Sequence, residues 1–286
     1  MKKSNNISKI FSALLNDFTR IDRTCNNCGR EIFKGKPFFA TKEEIDAYEK
    51  LQPGEQFFCD ECFEKLPRND GYVCAHCGRS VISPVEFCDE CTGIEWSFEM
   101  ARSPFCYAPP VNEMIKKQKY SGKKYTSEIF APFLSAYLVK YFLDADVLTF
   151  VPMTKKALRK RGYNQAELLC KEISKETGFA YADLLEKTAD TEHQAKLNRN
   201  ERLTNLKNTF KVRNTAHVQN KHIVLIDDVL TTGATAETVS AALKKAGAAK
   251  VYVLTVSSVT DRHTKELEDI SKREKSRLSN IAKNSR

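Results

Sequence analysis

The chain has 286 residues, of which 41% are hydrophobic and 29% charged, and its formal net charge is +9. This is the composition of a globular protein with a sizeable core and about two domains. No apolar stretch approaches the roughly 18 residues needed to span a bilayer, so we predict no transmembrane segment. The positive charge favours polyanionic partners, either phosphate-bearing small molecules or nucleic acid, although a solvated basic surface gives the same value.

Residues 1–22 form the first predicted element, an amphipathic helix. Its apolar positions are Ile7, Ile10, Phe11, Leu14, Leu15 and Phe18. Polar residues interrupt this stripe and no small-residue cleavage site follows, so the pattern differs from that of a secretory signal. We therefore predict a cytoplasmic protein. The helix either docks on its own chain or binds a partner or a membrane surface.

Residues 23–100 contain eight cysteines in four Cys-x-x-Cys pairs. The pairs are Cys25/Cys28, Cys59/Cys62, Cys74/Cys77 and Cys88/Cys91. The first and third pairs both read Cys-x-x-Cys-Gly-Arg, and the second and fourth both read Phe-Cys-Asp-Glu-Cys. The segment therefore consists of two copies of one unit. Because cytosolic thiols stay reduced, metal ligation is favoured over disulfide bonds.

Two thiolates separated by two residues lie on one turn and supply half of a tetrahedral zinc site. Four pairs therefore predict two structural Zn²⁺ sites with no position open for catalysis. The repeat favours pairing within each copy, and a cross-braced arrangement of alternate pairs is the alternative. An iron–sulfur cluster, a redox dithiol or reduced core cysteines would share this spacing. We expect His76, inside a knuckle, at the surface rather than as a ligand.

Residues 101–260 alternate apolar strands with helical segments, which is typical of a mostly parallel sheet with crossover helices. The predicted helices are 126–142, 164–177 and 235–246, and the predicted strands are 147–151, 223–226 and 251–256. Residues 261–286 form a charged tail that we expect to be disordered. The chain is thus divided into 1–22, 23–100, 101–260 and 261–286.

Residues 224–235 carry the strongest functional pattern, Val-Leu-Ile-Asp-Asp-Val-Leu-Thr-Thr-Gly-Ala-Thr. A buried strand ends in two acids, Asp227 and Asp228, and a loop of small and hydroxyl residues leads into a helix. The loop consists of Thr231, Thr232, Gly233, Ala234 and Thr235. Ligands of open α/β sheets bind at the carboxyl ends of strands, and helix N-termini bind phosphate. We expect the loop to bind a monophosphate and the two acids to bind the hydroxyls of a ribose attached to that phosphate. The lack of Gly-Lys-Ser/Thr argues against a nucleoside-triphosphate loop.

This segment resembles the signature of type I phosphoribosyltransferases that binds 5-phosphoribosyl-1-pyrophosphate (PRPP). The resemblance implies an α/β fold of the type I phosphoribosyltransferase class, with a parallel sheet and helices on both faces. The small zinc module with two four-cysteine sites, predicted above from the cysteine pairs, precedes this domain. It also implies PRPP bound with Mg²⁺. Asp227 and Asp228 would be the catalytic residues that contact the ribose and the magnesium shell, and residues 231–235 would hold the 5′-phosphate.

Further motifs narrow the resemblance to the competence-associated ComF family, described as amidophosphoribosyltransferase-like. They are the Val-Pro pair at Val151, the Arg-Gly-Tyr-Asn-Gln run from Arg161, Gln194, and the Arg-x-x-Asn element at Arg202. The cysteine module resembles that family's zinc finger, so the similarity covers residues 25–258. The long insert between Cys28 and Cys59 and the charged tail depart from the pattern. The family is associated with natural transformation, which implies single-stranded DNA and the DNA-uptake machinery as partners.

Five cations follow the strand ending at Val151, in residues 155–161. Lys155, Lys156 and Arg161 are the predicted pyrophosphate ligands, because this loop lies at the same sheet edge as the acids. Lys156, Arg159 and Lys160 are the predicted nucleic-acid contacts. Five cations exceed what one pyrophosphate requires, so some could instead face solvent.

Two functions share this pocket. The first is a ComF-family protein that binds PRPP with Mg²⁺ and acts in DNA uptake. The alternative is a catalytically active phosphoribosyltransferase with an unidentified acceptor and no direct DNA role. No residue in the sequence identifies itself as the general base for an acceptor, so the two differ in turnover rather than in the pocket.

Overall fold

A computed structural model of the chain describes residues 24–32, 51–121, 125–189 and 209–260. They belong to two compact units, residues 1–66 and 67–286. The predicted N-terminal helix and C-terminal tail lie outside the described residues, as do Gln194 and Arg202. Within the described part of the chain, every helix is too short or too polar to cross a bilayer.

The described part of the first unit is a cysteine knuckle followed by a short helix. Thr24 and Glu31 pair across the knuckle, and Gly29 takes a φ of +75°, which closes the tight turn. Helix α1, Asp60–Glu64, begins directly after Cys59 and carries Cys62 on its buried side. The turn and the helix together direct cysteines toward one point.

The second unit is built on a five-stranded sheet in which all pairs are parallel. Its strands are β1 (Met100–Arg102), β2 (Phe105–Cys106), β3 (Val147–Phe150), β6 (His222–Leu230) and β7 (Lys250–Ser258), and β4 (Leu185–Lys187) and β5 (Phe210–Val212) form a separate antiparallel pair. The order across the sheet is β1-β7-β6-β3, and β2 pairs with β7 further along than β1 does. The two longest strands, β6 and β7, therefore form the centre.

The described α-helices of this unit are α2 (Val111–Ser121), α3 (Thr126–Tyr141), α4 (Lys155–Arg161), α5 (Gln165–Thr177) and α6 (Ala234–Lys245). Of these, α3, α5 and α6 pack against the sheet and cover its two faces, whereas α2 packs on α3 and α4 buries none of its residues. Successive side chains of a strand point to opposite faces. Leu225 of β6 packs in one cluster with Val239 of α6 and with Cys74, Cys77, Cys88 and Cys91. Tyr252 of β7 pairs with the neighbouring Val224, so it faces the other side, where it stacks on Phe142 at the end of α3. The predicted parallel sheet with helices on both faces is confirmed.

The apolar run of β6 explains its central position. Ile223, Val224, Leu225 and Ile226 are each fully buried, as expected of a parallel strand covered on both faces. Burial of each such side chain contributes about 1.5–3 kcal/mol to the hydrophobic stabilisation. A polar substitution at any of these positions would therefore weaken the sheet at its centre.

Strand β6 is longer than predicted, and the difference shapes the site. It continues from Ile226 to Leu230 because its pairing with β7 extends to Ser258. Pairing with β3 on the other side stops where Phe150 meets Ile226. Asp227 and Asp228 therefore lie within β6 but beyond the end of β3, rather than after the strand. Both remain at the carboxyl edge of the sheet, where a ligand of an open α/β fold binds.

Helix α5 lies where the sequence places it because its ends are marked. The Asn164 side chain accepts a hydrogen bond from the amide of Ala166 (3.0 Å) and caps the first turn. Gly178 then takes a φ of +77° and ends the helix.

His76 was expected at the surface, but it is half-buried and its ring stacks on Phe98 at a centroid distance of 4.8 Å.

Candidate functional site

Two groups of four cysteines each bring their sulfur atoms within 4.8 Å of one another. The first cluster is Cys25, Cys28, Cys59 and Cys62, and the second cluster is Cys74, Cys77, Cys88 and Cys91. Zn–S bonds of about 2.3 Å place the corners of a zinc tetrahedron about 3.8 Å apart. The Sγ atoms of Cys28 and Cys59 are 3.8 Å apart, and those of Cys77 and Cys88 are 3.6 Å apart. Both clusters therefore fit Zn²⁺, and pairing is within each copy of the repeat.

Hydrogen bonds to sulfur support the metal assignment. The amide of Cys88 donates to the Sγ of Cys74 (3.3 Å), and the Nδ2 of Asn27 donates to the Sγ of Cys62 (3.3 Å). Such outer bonds orient ligands and offset the charge of thiolates. With four sulfur ligands in each cluster no coordination position remains for substrate, so a bound zinc would be structural.

The two acids at the sheet edge have different surroundings, because neighbouring strand residues face opposite sides. Lys119, on α2, places its Nζ 2.6 Å from the Oδ2 of Asp228, and the side chains are 27% and 13% exposed. Burial alone would lower the pKa of Lys119, but the charge of Asp228 keeps that pKa above its ordinary value. Sequence reasoning did not identify Lys119, which lies far from the acids in the chain and beside other lysines.

Asp227 is the most perturbed carboxyl group of the site. Burial, followed by repulsion from Asp228, raises the pKa of Asp227 to about 7, and the cations Lys119 and Lys187 offset this only in part. Its Oδ1 also accepts the amide hydrogen of Asp228 (2.8 Å). A carboxyl group with a raised pKa keeps its proton to a higher pH than an ordinary aspartate does, and an approaching cation favours its charged form. Carboxyl groups shifted in this way concentrate at functional sites.

The loop after β6 presents backbone amides to the same edge. Gly233 has a φ of +81° and begins α6 without a side-chain cap, so the first-turn amides lack the partners that helix interiors have. The Oγ1 of Thr232 accepts a hydrogen bond from the amide of Ala234 (3.4 Å). Asp227, Thr231, Gly233 and Thr235 line a cleft with only about 20 Å³ of enclosed space. A ligand on this loop would therefore lie mostly across the open edge of the sheet.

The basic segment begins beside the acids. The amide of Val151 donates to the carbonyl of Ile226 (3.0 Å), which holds the end of β3 against β6. Helix α4 follows, capped by Thr154. Lys155, Lys156, Arg159 and Lys160 are exposed, whereas Arg161 is half-buried. The Nη1 of Arg161 donates to the Oε1 of Gln165 (2.9 Å), which holds the guanidinium at the junction between α4 and α5.

A second, wider opening lies between β5 and α6. It is a groove of about 810 Å³ lined by apolar residues such as Phe210, Val212 and Ala241, together with Lys211 and Lys245. None of the predicted site residues lines this groove.

The chain is similar to known proteins over about two thirds of its length. A model of the phosphoribosyl transferase domain matches residues 157–284. The chain is 30% identical over 213 residues to the DNA utilization protein YhgH of Escherichia coli (strain K12), covering 71% of this chain and 91% of that protein. It is 33% identical over 198 residues to the competence protein ComFC of Streptococcus pneumoniae, covering 68% of this chain and 82% of that protein.

Among solved structures, the glutamine PRPP amidotransferase of Bacillus subtilis is 18% identical with a TM-score of 0.32. The match covers 45% of this chain and 26% of that enzyme, so the chain spans about a quarter of the enzyme's length. The two named relatives match most of their own length. The shared domain and this extent of identity show that the chain belongs to the ComF family.

Proposed function

We propose that this protein binds PRPP together with Mg²⁺ at residues 227–235 and acts in DNA uptake. The main support is the sheet edge itself, where two acidic side chains lie beside a Thr-Thr-Gly-Ala-Thr loop that begins a helix. The names of the relatives, a DNA utilization protein and a competence protein, support the second part of the proposal.

Each side chain of the edge has a role in this proposal. Asp227 and Asp228 accept hydrogen bonds from the ribose hydroxyls, and Lys119 stabilises the ionised form of Asp228. The 5′-phosphate binds the first-turn amides of α6 and the threonine hydroxyls of the loop. When bound, Mg²⁺ would neutralise charge on the pyrophosphate and keep several water ligands.

The basic helix α4 supplies the remaining charges. Lys155, Lys156 and Arg161 are the proposed pyrophosphate ligands, and Lys156, Arg159 and Lys160 are the proposed contacts to single-stranded DNA. The side chains of Lys155, Lys156, Arg159 and Lys160 are exposed, which supports an accessible cationic surface. We place the protein in the cytoplasm, because eight cysteines grouped for zinc require an environment that keeps thiols reduced.

Thermal unfolding tests the PRPP site. A ligand that binds only the folded state, present at a concentration of 100 times its dissociation constant, stabilises the folded state by about 2.7 kcal/mol. PRPP with Mg²⁺ should therefore raise the melting temperature of the parent, and omission of Mg²⁺ should reduce the shift. Asp227→Ala combined with Asp228→Ala should remain folded and lose the response. A double variant that responds like the parent would rule out the ribose assignment.

The second candidate function is turnover of PRPP with an acceptor. It is supported by the pKa of Asp227, raised to about 7 by burial, since acid–base groups work best near the operating pH. Pyrophosphate release from PRPP and Mg²⁺ should be measured across purines, pyrimidines and amines. Release that depends on one acceptor would establish an enzyme, and no release with any acceptor would favour the binding function.

A further inference from the structure

The second cysteine knuckle, residues 74–79, contacts the proposed phosphate loop. The Nη2 of Arg79 donates a hydrogen bond to the backbone carbonyl of Thr231, the first residue of the loop. The backbone of Arg79 also closes the knuckle, because its carbonyl accepts the amide hydrogen of Cys74 (2.9 Å). One residue therefore belongs to both the knuckle and the wall of the loop.

Two further contacts continue along the same segment. A Cβ atom at Gly233 would lie 2.7 Å and 2.8 Å from two ring carbons of Trp96, so the indole is packed against this glycine. Ser97 donates from its amide (2.8 Å) and its hydroxyl (2.7 Å) to the two carboxylate oxygens of Glu237, in the first turn of α6. Residues of the second cysteine module thus hold the loop at its start, at its glycine and at the helix that follows.

The charge of Arg79 connects this contact to the metal. Arg79 is 1% exposed, and its Nε and Nη1 have no hydrogen-bond partner among the described residues. A buried guanidinium with one bonded nitrogen is costly unless a negative charge lies nearby. Zn²⁺ with four thiolates carries a net charge of about −2, and Arg79 follows the ligand Cys77 by two residues. Bound zinc would therefore supply the compensating charge and the folded knuckle.

The first copy of the repeat provides an internal comparison. Arg30 occupies the same position in its Cys-x-x-Cys-Gly-Arg motif, yet its side chain is 63% exposed and lies 3.4 Å from Glu61. An arginine after the knuckle therefore does not need to be buried for a four-cysteine cluster to form. Burial of Arg79 accompanies its contact with Thr231 instead.

We propose that the second knuckle, folded around its four cysteines, positions the phosphate loop through Arg79, so that loss of the Arg79 guanidinium loosens the loop and weakens its affinity for its ligand. Arg79 is a positioning residue, because it acts through the backbone of Thr231. The identity of the ligand rests on the proposed function, whereas the ordering of the loop does not.

The test compares Arg79→Met and Arg79→Lys with the matched control Arg30→Met in the full-length, zinc-loaded protein. Hydrogen exchange is measured without ligand on peptides covering residues 229–240, together with zinc content and the affinity for PRPP with Mg²⁺. Arg79→Met should keep its zinc, exchange faster at residues 231–237 and bind PRPP about tenfold more weakly, as expected for one charged hydrogen bond. Arg79→Lys should recover part of both losses, and Arg30→Met should match the parent.

Unchanged exchange and unchanged affinity in Arg79→Met would overturn the proposal. If the parent itself does not bind PRPP, the proposed function fails, but the exchange measurement still decides whether Arg79 orders the loop. If Arg79→Met does not fold, Arg79→Lys replaces it, because this variant keeps the positive charge but not the planar guanidinium that reaches Thr231. Exchange at residues 231–237 that is faster than in the parent would then support the positioning role of Arg79, and exchange equal to that of the parent would contradict it.

Discussion

The ion pair between Lys119 and Asp228 is expected to contribute measurably to the stability of the second unit. Lys119→Met removes the ammonium group and keeps most of the apolar volume of the side chain. The Nζ–Oδ2 distance is 2.6 Å, and the two side chains are 27% and 13% exposed. The pair is therefore shielded more than a surface salt bridge but is not fully buried.

The size of the effect follows from this partial exposure. Surface pairs contribute about 0–1 kcal/mol, and loss of one partner of a buried pair costs about 3–5 kcal/mol. After allowance for solvent screening, we expect Lys119→Met to lower the free energy of unfolding by about 1–3 kcal/mol. Repulsion between Asp227 and Asp228 adds to the loss, because Lys119 offsets the charge of both acids.

Urea unfolding measures this change. Trp96 is the single tryptophan of the chain and lies in the same unit as the pair, so its fluorescence reports on that unit. Lys116→Met is the matched control, since Lys116 is an exposed lysine on the same helix, and its effect should stay within about 0.5 kcal/mol. A double-mutant cycle with Asp228→Asn should give a coupling energy of about 1–2 kcal/mol. Single effects that add within about 0.5 kcal/mol would refute the interaction.

Three further predictions concern the metals, the DNA and the pH. Elemental analysis should find close to two zinc ions per chain, with one lost in Cys25→Ser and one in Cys74→Ser; zinc near zero in protein purified without chelator would contradict both clusters. The logarithm of the affinity for single-stranded DNA should fall with the logarithm of the salt concentration, and Arg159→Ala combined with Lys160→Ala should make this fall less steep by about 1.4. An unchanged slope would place the DNA contact elsewhere. Burial raises the pKa of Asp227 to about 7, so the carboxyl group gains a proton as the pH drops below that value. Affinity for PRPP with Mg²⁺ should fall over the same pH range. Asp227→Asn should bind more weakly and keep only the pH dependence of the ligand, and a profile identical to that of the parent would exclude Asp227 from the site.

The sheet was predictable because its central strands are apolar on both faces. The sequence of Ile223, Val224, Leu225 and Ile226 indicates a buried parallel strand, and the structure buries all four. Helix α5 was predictable because Asn164 and Gly178 mark its ends. The extension of β6 to Leu230 was not, because it depends on pairing with β7 alone, which no local pattern records.

The surroundings of the site were less accessible to sequence reasoning. Arg30 and Arg79 share one motif, yet only Arg79 is buried against the loop, so the motif does not determine the environment. Lys119 shares α2 with the exposed Lys116 and Lys117, and only the packing of that helix decides which lysine meets Asp228. Both cases depend on tertiary contacts between segments far apart in the chain.

A crystal structure with PRPP and Mg²⁺ would show directly whether the loop after β6 binds this ligand. We expect a 5′-phosphate about 3 Å from the amides of residues 231–235, with the ribose hydroxyls at Asp227 and Asp228. Phosphate density confined to another surface, such as the groove between β5 and α6 beside Lys211 and Lys245, would contradict it, as would an empty loop at a saturating ligand concentration.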